Sequence, residues 1–212
     1  MDGVTVSMSG VRFAYARGGF ALDIPSLRIE PGLTLLLGPN GAGKSTLLRL
    51  AAGVERPAEG RVAIGAFDLW DSEVEARSLL AYVPDHPDLI PYASLREILL
   101  LVARLRREPE ASAERALDGA GLGPLAHKTA RELSLGQQRR VALAAATIGA
   151  PRVLLLDDPL EALDDAMREV VLTWIASAVA RALTVLVSTH ELEPFARWNP
   201  ARLRIASGRL TA

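Results

Sequence analysis

The chain has no cysteine among its 212 residues, which excludes a disulfide framework and any thiolate metal site. It also lacks charge of one sign. The formal net charge is −1, and no long basic stretch exists to track a phosphate backbone, so nucleic acid is not an implied partner. The densest basic group, Arg104, Arg106 and Arg107, reads as a solvated helix face. Long hydrophobic runs are missing too. Arg152 interrupts one apolar stretch and Arg181 another, each well short of membrane-spanning length. The opening Met1-Asp2-Gly3-Val4 has none of the basic-then-apolar pattern of a signal peptide. Internal repeats and low-complexity tracts are likewise absent.

What remains is a chain that is 50% hydrophobic, enough for one substantial core with a smaller lobe. Val4, Val6 and Met8 alternate, as do Val11, Phe13 and Tyr15, which predicts strands at an amino-terminal sheet edge. Gly18-Gly19 and Pro31-Gly32 punctuate turns around a further strand, Phe20 to Ile29. Strands are also expected at Arg61–Ile64, Leu80–Val83, Val153–Leu156, Thr184–Val187 and Leu203–Ile205. Between Pro91 and Ala130 the pattern is helical, with leucines at 95, 99, 100 and 105, broken by Gly121-Leu122-Gly123-Pro124. A sheet-containing core interrupted by a helical insert follows.

Residues 38–46 read Gly38-Pro39-Asn40-Gly41-Ala42-Gly43-Lys44-Ser45-Thr46, a complete phosphate-binding loop. An apolar strand, Leu33 to Leu37, precedes it, and a run of helical spacing, Thr46 to Ala52, follows. Glycines at 38, 41 and 43 let successive N–H groups turn inward on an anion. The helix start and Lys44 add positive charge, and Ser45 is placed to ligate Mg²⁺. Such a site needs an acid at the end of a second buried strand. Val153-Leu154-Leu155-Leu156-Asp157 supplies it, and Asp157 would hold the metal through water. Asp158 follows directly and could orient or deprotonate the attacking water.

With these elements in place, nearly the whole chain resembles the ATP-binding subunits of ABC transporters. Leu133-Ser134-Leu135-Gly136-Gln137 resembles the family's signature segment. The resemblance implies that Ser134, Gly136 and Gln137 meet the γ-phosphate of ATP held by an opposite subunit. Pro159 to Asp164 resembles the D-loop, which touches that partner, and His190, after an apolar strand, resembles the switch histidine. Tyr15 stands where the family stacks a ring on adenine; core packing beside Phe13 is the competing reading. His127 has no assignment.

Three positions depart from the family pattern. Asp158 replaces a glutamate, and one methylene less leaves its carboxylate roughly an ångström short, a misplacement worth about a hundredfold in rate. Asp85 replaces a glutamine in the loop joining core to helical lobe; its oxygen could still reach Mg²⁺, beside phosphate. Leu135 replaces the first signature glycine, which restricts the backbone and brings bulk to the dimer seam.

The expectation is an α/β, P-loop NTPase core with an antiparallel β edge and an inserted α-helical subdomain, in one ABC ATPase domain over 1–212. Residues 1–85 and 135–212 form the core and about 86–134 the helical subdomain. The resemblance implies a MgATP-hydrolysing subunit, with Lys44, Asp158 and His190 catalytic, that dimerises on ATP and drives a membrane permease. Its second subunit is either an identical or a different ATPase chain. Its place is cytoplasmic, at the membrane face through that permease. Asp88 to Glu97 resembles the stretch that docks on a permease, and its wording leans to exporters over importers. Two other readings stand: an assembly or regulatory subunit with slow hydrolysis, and a non-transport ABC ATPase.

Overall fold

The computed structural model describes residues 3–16 and 21–211; the Gly18-Gly19 turn and Phe20 lie outside them. Ten strands run in chain order: β1 (Val6–Ala14), β2 (Ala21–Ile29), β3 (Gly32–Leu37), β4 (Glu59–Ile64), β5 (Phe67–Asp68), β6 (Leu80–Val83), β7 (Val153–Asp157), β8 (Thr184–Ser188), β9 (Ala201–Ala206) and β10 (Arg209–Thr211). They join in one sheet ordered β5-β4-β1-β2-β10-β9-β3-β8-β7-β6. The β5-β4-β1-β2 end is antiparallel, while β9, β3, β8, β7 and β6 run parallel.

The central parallel strands β3, β7 and β8 read as near-continuous apolar runs because both their faces are covered, whereas β9 carries Arg202 and Arg204 and is largely exposed. Leu36, Leu155 and Leu186 face a core shared with helix α1 (Lys44–Ala51). Leu35, Leu154, Leu156 and Val187 face the opposite core, shared with α6 (Asp165–Ala180) and Phe195.

The amino-terminal expectation needs correction. Apart from Val4 and Tyr15, which lie just beyond its ends, the two alternating stretches belong to one strand, β1, and β4 and β5 lie outside it, so β1 is not the edge. Gly10 takes φ 60° and the register with β4 shifts between Ser9 and Arg12. This bulge changes the parity, so that Val6, Met8, Val11 and Phe13 all reach the same core.

After the short α2 (Glu73–Ser78), the stretch between Pro91 and Ala130 holds α3 (Leu95–Leu105), α4 (Ala111–Gly119) and a short 3₁₀ turn at Gly123–Leu125. Ser94 and Glu97 start α3 with a reciprocal cap: the Glu97 N–H donates to Ser94 Oγ at 3.3 Å, and Ser94 N–H to Glu97 Oε2 at 2.8 Å. Leu95 and Leu99 enter a separate core with Leu117, Leu122, Val141 and Ile148, whereas Leu105, at the helix end, is exposed. The last two of those core residues flank or lie in α5 (Leu135–Thr147), which also sends Leu143 and Ala146 into the sheet core. α5 is therefore packed on both sides.

The basic trio does not form one solvated face. Arg104 pairs with Glu110 at 2.7 Å, but Arg106 reaches back and donates to the Leu80 carbonyl at 3.0 Å, tying α3 to β6. Among the described residues, no helix is long and apolar enough to cross a membrane.

Candidate functional site

In the parallel half of the sheet the carboxyl ends of neighbouring strands lie in register. Leu36 pairs with Ser188, Ser188 with Asp157, and Leu156 with Val83. The loops leaving β3, β8, β7 and β6 must therefore share one rim, where open α/β sheets bind ligands. A cleft of about 840 Å³ opens there, lined by Tyr15, Asn40, Gly41, Gly43, Lys44, Ser45, Thr46, Asp85, Asp158, Glu161 and His190. Its size is in the range of small-molecule sites.

The phosphate loop enters the cleft at the start of α1. Gly43 caps that helix with φ 109°, a left-handed conformation that a side chain would strain, and offers no side-chain oxygen to the first-turn N–H groups. Those donors and the positive end of the helix are left for an anion. Lys44 is buried, and its ammonium donates to the Gly38 carbonyl at 2.8 Å and the Pro39 carbonyl at 3.3 Å. These two residues thus serve through their backbones, and Ala42 is buried behind them. Tyr15 packs on the core and also stands at the cleft. Its ring meets Phe13 edge-on at 4.8 Å, and its hydroxyl lies 3.4 Å from Thr46 Oγ1.

Asp157 ends β7, buried, and accepts a 2.5 Å hydrogen bond from Ser188 Oγ at the end of β8. Asp158 next to it takes φ 43°, which aspartate tolerates better than most residues. Its N–H donates to the Ser188 carbonyl at 3.1 Å, and its carboxylate lies 3.3 Å from His190 Nδ1. Burial pushes the Asp158 carboxyl above its usual range. The charges of Asp157 and Glu161 add to this, while those of His190 and Lys44 oppose it. A base whose pKa is moved towards neutrality is better matched to accept a proton from water.

This combination of rim, loop and paired aspartates agrees with the comparison to known families. The sequence matches the family described as ABC transporter over residues 22–161. The chain belongs to that family.

As an ABC ATPase domain, it also has close structural counterparts. The structure of an ATP-binding subunit of an ABC transporter superposes with a TM-score of 0.87 at 26% identity, covering 98% of this chain and 88% of that one. A dimeric ATP-binding cassette in a post-hydrolysis state bound to ADP and Pi gives 0.86 at 26% identity, covering 98% and 97%. Among sequences, the molybdenum import ATP-binding protein of Brucella suis is 33% identical over all of this chain and 59% of its own length. A putative 2-aminoethylphosphonate import ATP-binding protein of Salmonella typhimurium is 37% identical over 88% of this chain and 52% of its own. The chain thus spans little more than half the length of these relatives. Both names say import, which runs against the exporter lean.

The signature residues of this ABC domain do not reach its own cleft. Ser134, Gly136 and Gln137 are absent from the lining. Ser134 caps α5, its Oγ accepting from the Gln137 N–H at 3.3 Å, while its own N–H donates to Gln137 Oε1 at 3.0 Å. The hydroxyl proton of this exposed serine is left to donate outward. Leu135 is the first residue of the helix and has no positive φ, so the expected backbone restriction does not arise. Its side chain is 41% exposed. Asp164 caps α6, accepting from the Met167 N–H at 2.8 Å, and pairs with Arg140 at 2.7 Å.

Asp85 faces the cleft, but both of its oxygens have partners: Oδ1 takes Arg139, and Oδ2 lies 2.9 Å from His86 Nδ1. Sequence reasoning missed three contributors. Glu161 is on the cleft wall, Ser188 holds Asp157, and Arg139 lies buried behind the rim. A charged residue on an otherwise apolar helix face was the one available signal for Arg139.

Proposed function

We propose that this chain binds and hydrolyses MgATP as one half of a head-to-tail dimer that powers a membrane permease. The observation that carries this reading is the split of its site. One chain presents a phosphate loop, Asp158 and a histidine on a cleft, with Asp157 buried next to Asp158, while Ser134, Gly136 and Gln137 of the same chain do not line it. A second subunit, identical or different, completes the site by placing Ser134 and Gly136 on the γ-phosphate. An isologous, two-fold pair is the default geometry.

Mg²⁺ fits the donors. Among the described residues no cluster of three or more acids or histidines could hold a metal alone. A hydroxyl and a carboxylate on the phosphate side suit a hard cation that keeps waters and substrate phosphates as its other ligands. Ser45 and Asp157 would hold it, and Mg²⁺ would neutralise charge on the β- and γ-phosphates. Lys44 binds the phosphate oxygens, Asp158 orients the attacking water and accepts its proton, and His190 contacts the γ-phosphate while holding the Asp158 carboxylate. Loss of the γ-phosphate removes the bridge between subunits and releases them.

The import relatives favour an importer. The partner is then a permease on the cytoplasmic face of a membrane, reached through the helical subdomain of about 86–134, and nucleic acid has no part. The short Asp158 side chain favours slow turnover in the isolated subunit. Sedimentation of the Asp158→Asn protein tests the reading. A shift from monomer to dimer with MgATP, and not with MgADP, is expected; no shift, together with no ATP binding, overturns it.

A further inference from the structure

Arg139 is the one arginine of the described chain that is buried, at 3% exposure, and it lies on α5, behind the cleft rather than in it. One Nη donates to the carbonyl of Asp158 at 3.1 Å and to that of Glu161 at 2.5 Å. The other Nη donates to the Asp85 carboxylate and lies 3.4 Å from Glu161 Oε2. A single guanidinium thereby joins three segments: the signature helix, the loop after β6, and the loop after β7. All three loop residues it touches line the cleft.

The charge balance gives this contact a purpose. The cleft wall carries the carboxylates of Asp85, Asp158 and Glu161 against the ammonium of Lys44, with His190 beside Asp158 and His86 beside Asp85. A triphosphate brings several more negative charges to the same place. Like charges held close together near a protein surface repel, and this weakens nucleotide binding. A buried arginine alone is equally unfavourable. Paired, each offsets part of the other's cost, with Arg139 Nε left without a hydrogen-bond partner.

We propose that Arg139 is a positioning residue for the nucleotide site. By neutralising Asp85, it makes an aspartate at that place compatible with a bound triphosphate. By holding the Asp158 and Glu161 carbonyls, it keeps the loop after β7 in line. On this account Asp85 serves as the counter-ion of Arg139, and its carboxylate is not spent on the metal. The inference rests on the proposed ATP site and deepens it.

The test is a double-mutant cycle over Arg139→Gln, Asp85→Gln and the pair, read by equilibrium binding of a fluorescent ATP analogue, with Mg²⁺ and with EDTA, and by thermal melting. Arg139→Gln is expected to weaken binding by about tenfold or more, because the Asp85 charge then faces phosphate uncompensated. Adding Asp85→Gln is expected to restore binding to within about threefold of the parent, in EDTA as well as in Mg²⁺. Each single variant melts below the double. Arg139→Lys, which keeps the charge without the planar fork, guards against misfolding and is expected to hold affinity within about threefold while melting lower. A double variant that binds as poorly as Arg139→Gln, or a lysine variant that binds no better than it, overturns the inference. Failure of the parent itself to bind ATP would instead overturn the functional reading on which it rests.

Discussion

Gly136, in the first turn of α5, sits directly against the carbonyl of Ala162: a Cβ added at Gly136 would lie 2.8 Å from that oxygen. Ala162 is itself held at φ 56° in the loop between β7 and α6, so the oxygen is backbone and cannot swing aside. The glycine therefore lets the signature helix pack on the loop after β7. Gly136→Ala is expected to cost about 1–3 kcal/mol by overpacking, which at this chain length lowers the melting temperature by several degrees. Calorimetry of the nucleotide-free protein measures it, and an unchanged melt would show that the two segments move apart freely.

Lys44 holds the phosphate loop closed on two of its own carbonyls. Lys44→Ala removes the full positive charge of the cradle and leaves the N–H groups of the α1 start. ATP affinity is expected to fall by about ten- to a hundredfold, the worth of one charge-assisted hydrogen bond, with hydrolysis lost and the circular dichroism spectrum retained. Calorimetric titration with ATP checks the first figure, and unaltered binding would displace the site from this loop.

Asp158 combines a short reach with a backbone that aspartate tolerates. Asp158→Asn is expected to lower the hydrolysis rate about 10²–10⁴-fold, the range for loss of a general base, while ATP still binds. Asp158→Glu extends the carboxylate and is expected to raise the basal rate by up to about a hundredfold. The positive φ should make it the less stable of the two by about 1 kcal/mol. Phosphate release in steady state decides the matter; equal rates in all three proteins would remove Asp158 from the chemistry.

Leu135 is helical and outward-facing, so in the dimer proposed above it acts through bulk at the seam rather than backbone strain. In an Asp158→Asn background, where hydrolysis cannot dissolve the product, Leu135→Gly is expected to tighten MgATP-driven self-association by about tenfold or more. Sedimentation equilibrium reads this directly. If the glycine variant associates no more than its background, Leu135 does not lie at the contact.

Two reciprocal caps bracket the helical lobe, Ser94 with Glu97 and Thr129 with Glu132, and a β-bridge joins Ser94 to Thr129. The Ser94 backbone and hydroxyl hold the Glu97 carboxyl below its ordinary range, and the Thr129 hydroxyl and backbone do the same for Glu132. Because the folded protein binds these protons less tightly than the unfolded chain, the caps contribute fully above the ordinary carboxylate range. Their contribution is lost as pH falls through the depressed values. Amide exchange at the start of α3 and around residue 132 is expected to quicken in that acid window. A Glu97→Gln and Glu132→Gln double variant should lack the acid step; if it keeps the step, other groups produce it.

The phosphate loop, Asp157, Asp158 and His190 were all legible in the sequence because each is a short polar motif at the end of an apolar strand. Chemistry and local backbone geometry sit within a few neighbouring residues there. The central parallel strands β3, β7 and β8 were legible because burial on both faces leaves a run of β-branched and leucine residues. Among the strands, β5, at two residues, and β10, at three, escaped because they are too short to hold a pattern. The bulge at Gly10 reversed a parity that simple alternation assumes.

The sequence by itself determined which reacting groups the protein carries and which family it resembles. Only the tertiary structure decided who stands beside whom. β8 lies between β3 and β7, so Ser188 comes to hold Asp157, 31 residues away. α5 turns Arg139 onto Asp85, 54 residues away, and directs Ser134 and Gly136 away from their own cleft. Such pairings follow from strand order and helix packing, which are settled by burying apolar faces from all along the chain. No local spacing encodes them, because the free energy that selects them is non-directional and shared over the whole core.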